Sequence, residues 1–178
     1  MEKFYPVNIC GMDVQLPILN IGGGINIAFF NLHGAQKLTE HCGACLAERL
    51  KGAEVVLTAE SKGLQLAHCV ARNLGHDYYA VARKSKKLYM QDGIESEVKS
   101  ITTAGNQHLY LSAHDMNLLK GKKVAIVDDV ISTGGSLLGL EQLVEKAGGI
   151  IAYKAFVLAE GDAAKRDDVI YLATIPLL

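Results

Sequence analysis

The sequence predicts an α/β protein with a doubly wound, mainly parallel sheet flanked by helices. Short apolar runs rich in β-branched residues, such as 124–127, are typical of strands that are buried on both faces. These runs alternate along the chain with glycine-containing loops and with segments that carry apolar residues at helical spacing. A length of 178 residues with 49% hydrophobic content is enough for one core, so we expect residues 1–178 to form a single domain.

Charge and hydropathy argue against two classes of function. The formal net charge is −1, which leaves no general positive field of the kind that attracts nucleic acids. No run of about 18 apolar residues occurs, so we expect no membrane-spanning helix. The N-terminus lacks the charged and then apolar pattern of a secretion signal, and we therefore expect a cytoplasmic protein.

The four cysteines, Cys10, Cys42, Cys45 and Cys69, are expected to be reduced, because a chain with a large core and no secretion signal rarely uses disulfides. Cys42 and Cys45, preceded by His41, could belong to a metal or redox site. A structural zinc site needs four ligands, however, and no second Cys/His pair has a ligand-like spacing. Residues three apart share one face of a helix, so packing within a helix is the favoured interpretation.

The N-terminal part is predicted to contain a hairpin, a glycine-rich connection and a helix. Residues 4–16 alternate imperfectly between apolar and polar, which is typical of a small hairpin. The glycines at 22–24 follow no long buried strand and open no helix, so they fit a connection better than a dinucleotide-binding loop. Thr39 is predicted as the N-cap of a helix that runs to Leu50 and ends near Gly52.

A strand, a loop and a helix follow one another in the next segment. Residues 54–59 form a buried apolar run, and residues 64–74 carry apolar side chains at helical spacing. The loop between them, residues 60–63, reads Glu-Ser-Lys-Gly. Gly63 permits close approach of the backbone to a ligand, and Lys62 provides positive charge. This arrangement predicts an anion-binding loop at the carboxyl end of the strand.

The following segment combines a strand, a cluster of cations and a long polar stretch. A strand is predicted over residues 78–82, and four of the five residues 83–87 are positively charged. A run of charge is more often a solvated face, but its place at the end of a strand indicates a local anion site. Residues 88–107 are polar, glycine-punctuated and without strong periodicity, which is typical of a functional lid.

The remaining elements continue the alternation of strands and helices. Strands are predicted over residues 108–112, 150–159 and 169–173, with a short turn over residues 163–166. A helix that ends at Gly148 and Gly149 is predicted from an apolar face made of Leu137, Leu138, Leu140, Leu143 and Val144.

The stretch from Val124 to Ser136 carries the clearest functional signal. A buried strand ends in Asp128 and Asp129, and a Thr-Gly-Gly-Ser turn leads into the helix. At the carboxyl end of a parallel strand, glycines let backbone N–H groups approach an anion, and the next helix adds its positive end. Adjacent side chains of an extended segment point in opposite directions, so both acids cannot fill the core. The pattern predicts a phosphate site beside carboxylates suited to a sugar or its Mg²⁺; the alternative is a buried strand with a helix-capping turn.

This thirteen-residue stretch resembles, at every position, the 5-phosphoribosyl-1-diphosphate (PRPP) binding signature of the type I phosphoribosyltransferases. The resemblance implies that fold, with Mg²⁺ bridging the diphosphate and the ribose. It also implies that Asp128 and Asp129 contact the ribose hydroxyls and reach the metal at most through water. The 5′-phosphate would then be bound by the residues of the turn: Ser132, Thr133, Gly134, Gly135 and Ser136.

The loop at 60–63 is similar to a Glu-Ala-Arg-Gly loop that grips pyrophosphate in adenine phosphoribosyltransferases, and Arg83 and Lys84 match an Arg-Lys pair that contacts PRPP. The resemblance implies a catalytic role for Arg83 and Lys84 alongside the two acids. Lys62 keeps the charge of the family's arginine but lacks its planar fork, and the alternative is a solvated lysine. The implied pyrophosphate set is Ser61, Lys62, Gly63, Arg83, Lys84 and Lys87.

The family also has an N-terminal hood over the base and a flexible lid over PRPP. The resemblance places the hood at residues 1–35 and the lid at residues 84–107, where closure would exclude water from the reacting centre. Candidate contacts to the base are Ile27, Phe29 and Val130. For the two hood residues, simple core packing is an equally good interpretation.

Among the family's branches, the sequence looks most like adenine phosphoribosyltransferase. Enzymes for 6-oxopurines commonly place a lysine after the strand that corresponds to 150–159, whereas Glu160-Gly161-Asp162 follows it here, and acceptors suit an exocyclic amine. The lid departs from the adenine enzymes, because Thr102-Thr103 stands where they have Glu-Tyr. Residues 100–102 (Ser-Ile-Thr) and 108–111 (His-Leu-Tyr-Leu) instead resemble xanthine and archaeal hypoxanthine relatives.

The resemblance implies that the partners are PRPP and a purine base, with adenine first, and that the products are pyrophosphate and a nucleoside monophosphate. It also implies a homodimer, and it leaves xanthine or hypoxanthine phosphoribosyltransferase open as an alternative. A non-catalytic PRPP-sensing regulator on the same fold is the alternative from a different class.

Overall fold

The computed structural model describes residues 3–99 and 106–178. The strands of these ranges are β1 (Phe4–Ile9), β2 (Met12–Asn20), β3 (Asn26–Ala28), β4 (Val55–Ala59), β5 (Ala80–Ala82), β6 (Ile94–Lys99), β7 (Asn106–Leu111), β8 (Lys123–Ile131), β9 (Ile150–Glu160) and β10 (Ile170–Ile175). The helices are α1 (Gln36–Arg49), α2 (Leu64–Leu74), α3 (Ala113–Leu119) and α4 (Gly135–Ala147), with a short 3₁₀ helix over Gly161–Lys165.

The central sheet is parallel and has the order β10-β9-β8-β4-β5. Its middle strand, β8, is buried on both faces. Val124 and Ile126 pack into a core with α3 and α4, whereas Ala125 and Val127 pack into a second core with α1, α2 and β1. The predicted doubly wound α/β architecture is therefore confirmed, and the apolar run at 124–127 lies at its centre.

The helices that follow β4 and β8 end at glycines in the left-handed conformation. Gly75 caps α2 and Gly148 caps α4, each with φ of 76°, a value that residues with a Cβ rarely adopt. The bounds of α2 coincide with the predicted helix over residues 64–74, and the predicted end of α4 at Gly148 is confirmed.

The N-terminal strands form a separate antiparallel sheet of order β1-β2-β3. The predicted hairpin over residues 4–16 is confirmed, with Ile9 paired to Met12 across the turn. Its inward side chains, together with Ala28 and Phe30, are buried in the core that contains α1. This sheet has the position expected of a hood.

Two predictions of detail were wrong, and one helix was missed. Thr39 is not an N-cap, because α1 begins at Gln36 and the buried Thr39 hydroxyl donates to the carbonyl of Ala35 at 2.8 Å. Leu138 is 47% exposed and does not share the buried face of α4, since it lies about 100° around the helix from its neighbour. The helix α3, which begins after Ser112, was not predicted.

The stretch 88–107 was predicted as a lid without regular structure, but its described part contains β6. This strand pairs antiparallel with β7 to form a two-stranded hairpin. The positions Thr102 and Thr103, which bear on the choice between branches, lie outside the described residues. A flexible lid over residues 84–107 stays a prediction.

Cys42 and Cys45 lie in α1, as the packing interpretation requires. Cys42 is fully buried, and this burial raises the pKa of its thiol to about 12. Within residues 3–99 and 106–178, no cluster of three or more His, Cys, Asp or Glu side chains is arranged to hold a metal ion. The helices of these same ranges include none that is long and apolar enough to cross a membrane.

Candidate active site

A cavity of about 730 Å³ opens at the carboxyl ends of β4, β5 and β8, the edge at which parallel sheets bind ligands. One wall is the β6–β7 hairpin, and the floor is the end of β8 with the start of α4. The lining residues are Ala59, Glu60, Ser61, Lys62, Lys84, Ser85, Lys86, Val98, Asn106, Gln107, His108, Leu109, Tyr110, Asp128, Asp129, Val130, Gly135, Ser136 and Gly139.

Asp128 and Asp129 end the buried run of β8 and are held by short local hydrogen bonds. The N–H of Asp129 donates to Oδ1 of Asp128 at 2.9 Å, and the N–H of Val130 donates to Oδ1 of Asp129 at 2.8 Å. Burial and the neighbouring charge of Asp129 raise the pKa of Asp128. Both carboxylates are thus fixed in place at the cavity floor.

The turn after β8, residues 132–136, forms a small cradle of about 140 Å³, which is also lined by Asp128, Val130, Ile131, Leu137 and Phe156. Gly134 has φ of +83° and α4 begins at Gly135, so a left-handed glycine directs the first amides of the helix toward the cradle. A cavity of this size, with amide donors and the positive end of a helix, suits one phosphate group.

The loop after β4 approaches Asp128 closely. A Cβ at Gly63 would lie 2.2 Å from Oγ1 of Thr58 and 2.8 Å from Oδ1 of Asp128, so only glycine fits at this position. The buried hydroxyl of Thr58 has no hydrogen-bond partner within the described ranges. Gly63 therefore brings the Ser61–Lys62 segment against the acids, where both residues line the cavity.

Glu60 links this loop to the cations after β5. Its carboxylate accepts from Nε of Arg83 at 2.8 Å and from the N–H of Lys84 at 2.7 Å. Partial burial opposes ionisation, but these two hydrogen bonds prevail and lower the pKa of Glu60. No role was predicted for Glu60, although its position directly after a buried strand places it at the edge of the sheet where the site lies.

The predicted cations do not all reach the cavity wall. Lys62 and Lys84 line it, whereas the guanidinium of Arg83 is held by Glu60 and donates from Nη1 to the hydroxyl of Tyr89 at 2.9 Å. Lys87 is half-buried and lies near enough to Glu60 to contribute to its lowered pKa. Of the described cations predicted for pyrophosphate, two therefore face the cavity directly.

The predicted base contacts divide in the same way. Val130 lines the cavity beside the two acids. Ile27 and Phe29 are half-buried and lie outside the described wall, and the ammonium of Lys62 stands 5.6 Å from the centre of the Phe29 ring. Phe29 therefore does not line the cavity itself, but its ring lies against Lys62, which does, in a cation–π interaction.

The β6–β7 wall was missed as a wall because residues 88–107 were interpreted as irregular. Alternation of apolar and charged residues from Ile94 to Lys99 has the period of two that is typical of a strand and could have revealed it. The hairpin packs on α4 at Gly139, where a Cβ would lie 3.0 Å from Cδ1 of Leu109. The wall is therefore seated on the helix that begins at the phosphate cradle.

The two carboxylates at the cavity floor could bind Mg²⁺ only together with other ligands. Asp128 and Asp129 offer hard carboxylate oxygens, but no third His, Cys, Asp or Glu of the described residues is arranged with them to complete a protein cage. Mg²⁺ commonly binds through one or two carboxylates together with water and substrate phosphates. The site fits an ion that arrives with a diphosphate.

Comparison with known proteins identifies relatives of this chain. The family model described as phosphoribosyl transferase domain matches residues 31–174. A xanthine phosphoribosyltransferase of Exiguobacterium is 33% identical over 146 residues, which cover 80% of this chain and 74% of that protein. An adenine phosphoribosyltransferase of Methanococcus maripaludis is 31% identical over 117 residues, which cover 66% of this chain and 64% of the relative.

Solved structures show the same fold. The adenine phosphoribosyltransferase of Thermoanaerobacter pseudethanolicus superposes with a TM-score of 0.74 at 23% identity, covering 90% of this chain and 95% of that one. The enzyme of Giardia lamblia complexed with 9-deazaadenine has a TM-score of 0.70 at 18% identity, covering 97% and 93% of the two chains.

Proposed function

This chain belongs to the phosphoribosyl transferase domain family, and from that membership we propose that it transfers 5-phosphoribose from PRPP to a purine base, adenine first. The products are pyrophosphate and the nucleoside 5′-monophosphate. The match covers most of this chain, and the relatives bear the names adenine and xanthine phosphoribosyltransferase.

The observation that carries the proposal is the arrangement of three kinds of group around one cavity. The phosphate cradle lies at one end, the two acids lie in the middle, and Lys62 and Lys84 lie beyond them. PRPP has the same order of groups: a 5′-phosphate, a ribose with two free hydroxyls, and a diphosphate on C1. A ligand with one anionic end would not need both anion sites.

In the proposed reaction, each group acts where charge or orientation is needed. Asp128 and Asp129 orient the ribose by accepting from its 2′- and 3′-hydroxyls. Lys62 and Lys84 stabilise the negative charge that develops on the leaving pyrophosphate as the C1–O bond breaks, which lowers the barrier more than it tightens substrate binding. The β6–β7 wall limits access of water, which would compete with the base nitrogen for C1.

Mg²⁺ is proposed as the cofactor, and Asp128 and Asp129 would hold it through water when it arrives with the substrate. When bound, it would neutralise part of the diphosphate charge. Asp128 and Asp129 would still orient the ribose in the presence of the ion, and the proposed reaction requires no proton transfer from them.

Adenine is the first choice of base because of the resemblance at the end of β9, where Glu160 stands in place of the lysine that is common in 6-oxopurine enzymes. Asp162 contributes less, since its carboxylate pairs with Lys165 at 2.7 Å. Xanthine is the second candidate, and the observation that favours it is the 33% identity to the Exiguobacterium xanthine enzyme over 80% of this chain. A homodimer and a cytoplasmic location stay predictions from the sequence.

The test is incubation of the protein with PRPP, Mg²⁺ and labelled adenine, hypoxanthine, guanine or xanthine in separate reactions. We expect labelled AMP from adenine at the highest kcat/KM. Labelled product from xanthine alone would replace adenine as the substrate. Product from none of the bases, together with tight PRPP binding, would favour a PRPP-sensing regulator.

A further inference from the structure

The phosphate cradle contains no cationic residue of its own. The residues of its turn, 132–136, are Ser, Thr, Gly, Gly and Ser, and its other lining residues include the acid Asp128 and no cation. Amides and the end of a helix favour an anion, but a phosphate monoester carries nearly two negative charges at neutral pH. The other anion site of the cavity, by contrast, has the lysines at 62 and 84.

A guanidinium lies directly against the cradle from outside. A Cβ at Gly134 would stand 2.9 Å from Nη1 of Arg166, so the arginine occupies the space that a side chain at position 134 would need. Arg166 follows the 3₁₀ helix Gly161–Lys165, and its side chain is 33% exposed. This contact could not be predicted from the sequence, because positions 134 and 166 are 32 residues apart.

The orientation of this guanidinium is fixed by a bidentate pair. Nε and Nη2 of Arg166 donate to the two carboxylate oxygens of Asp168 at 2.8 and 2.7 Å. This fork uses one edge of the planar group and leaves Nη1 directed at Gly134.

Asp168 is itself shared with a second cation. Nζ of Lys154 donates to Oδ2 of Asp168 at 2.5 Å and to Oε1 of Glu141 at 2.9 Å. Lys154 is on β9 and Glu141 is on α4, so the network joins the sheet, the segment after the 3₁₀ helix and the helix that starts at the cradle. The Lys154 and Glu141 side chains are only 17% and 22% exposed, which makes the network more persistent than an exposed ion pair.

We propose that Arg166 is a positioning residue of the 5′-phosphate site, which holds Gly134 in place from behind and adds the positive charge that the cradle itself lacks. The proposal rests on the proposed function, since it names the residue that tunes one of its two anion sites. Asp168 and Lys154 act one step further away, by orienting the guanidinium.

The experiment separates the two anion sites by ligand. Calorimetric titrations of the full chain with ribose 5-phosphate and, separately, with pyrophosphate and Mg²⁺ are compared for the wild type, Arg166→Gln and the control Lys165→Gln. The control removes the same charge one residue away, from an exposed side chain that pairs only with Asp162 among the described residues. We expect Arg166→Gln to weaken ribose 5-phosphate about tenfold and pyrophosphate less than twofold, and the control to change neither.

Two further variants distinguish charge and orientation from simple bracing. Arg166→Lys keeps the charge without the fork, and Asp168→Asn keeps the arginine but loosens it; each is expected to weaken ribose 5-phosphate about threefold. If Arg166→Gln does not fold, these two variants carry the test. Equal losses for both ligands would indicate a structural brace only and overturn the proposal.

The two ways of failing are distinguishable. A wild type that binds neither ribose 5-phosphate nor pyrophosphate would overturn the proposed function itself. A wild type that binds both, with Arg166→Gln indistinguishable from Lys165→Gln, would leave the proposed function intact and overturn the role of Arg166.

Discussion

The loop after β4 and the loop after β8 each connect a buried parallel strand to a helix at the same edge of the sheet. The first loop has a cation, Lys62, and is tied to the next strand through Glu60. The second loop has no charged side chain, and it depends on amides, a left-handed glycine and an arginine placed behind it. One plan of backbone thus yields a charge-based loop, which we propose for the leaving pyrophosphate, and an amide-based loop, which we propose for the 5′-phosphate.

The largest expected effect breaks both loops at once, because the two acids lie between them. Changing Asp128 and Asp129 together to Asn removes both negative charges and replaces one acceptor oxygen of each side chain by a donor, so that the ribose hydroxyls are oriented less well, and we expect kcat/KM for PRPP to fall about 10³-fold. Steady-state kinetics measures this, with Asp77→Asn as the control, since Asp77 is exposed and does not line the cavity. A double variant within about tenfold of the wild type would contradict the proposed role of the acids.

The next effect compares a glycine in each loop. Gly63→Ala forces a Cβ to 2.2 Å from Oγ1 of Thr58, whereas the nearest atom to a Cβ at Gly135 is Oγ1 of Thr133 at 3.9 Å. We expect Gly63→Ala to lower the free energy of unfolding by about 2–4 kcal/mol and Gly135→Ala to change it by less than about 1 kcal/mol. Denaturant unfolding gives both values. Equal losses would mean that the loops are not packed differently.

A smaller effect separates the two kinds of anion site. Lys62→Gln removes one cation from the first loop, so we expect pyrophosphate with Mg²⁺ to bind about tenfold more weakly, while ribose 5-phosphate changes less than twofold. Isothermal titration measures both ligands, with Lys51→Gln as the control, since Lys51 pairs with Glu48. A loss for ribose 5-phosphate instead would reverse the assignment of the two loops.

The smallest effect is on the pH dependence of stability. Burial, and then the charge of Asp129, raise the pKa of Asp128 from 3.8 to about 7. The native state therefore binds this proton more tightly than the unfolded state, and stability is lost as pH rises through that interval. Asp128→Asn should flatten this loss, with a gain of about 1–2 kcal/mol at pH 8.

Asp168 provides the contrast of sign for the same measurement. Hydrogen bonds from Arg166, and then from Lys154, lower its pKa, so the stability it contributes is present at neutral pH and is lost only on acidification. Between pH 4 and 8 the Asp128→Asn curve should therefore rise relative to the wild type as pH increases, whereas the Asp168→Asn curve should stay below the wild type by a constant amount and approach it only below about pH 4. Parallel curves would contradict the different environments of the two acids.

Local patterns in the sequence predicted those features that depend on residues close together in the chain. Hydrophobic runs and glycines defined β4, α2 and β8, and the acids with the Thr-Gly-Gly-Ser turn marked the site edge. The error at Thr39 arose because a buried threonine can satisfy its hydroxyl on the preceding turn as readily as it can cap a helix.

Features that depend on contacts between distant segments could not be predicted in this way. The bonds from Arg83 and Lys84 to Glu60, and the place of Arg166 behind Gly134, follow only from how neighbouring strands and their connections are arranged in space. The side chain of Arg83 was expected to face the cavity, but it forms an ion pair with the carboxylate of Glu60, which follows the neighbouring strand. The spacing of residues along the chain does not indicate whether an arginine faces the cavity or pairs with a carboxylate on a neighbouring segment.

The middle position of β8 has a consequence for ligand exchange. This strand is bonded on both sides, by β4 and by β9, whereas the β6–β7 hairpin has two strands and is joined to the central sheet by the bridge between Arg83 and Tyr110. Segments with fewer bonds and contacts open at lower free energy, so amide exchange should be fast in the hairpin and slow in β8. We therefore expect the proposed nucleotide product to leave past this wall, while the strand that bears the acids stays folded for the next turnover.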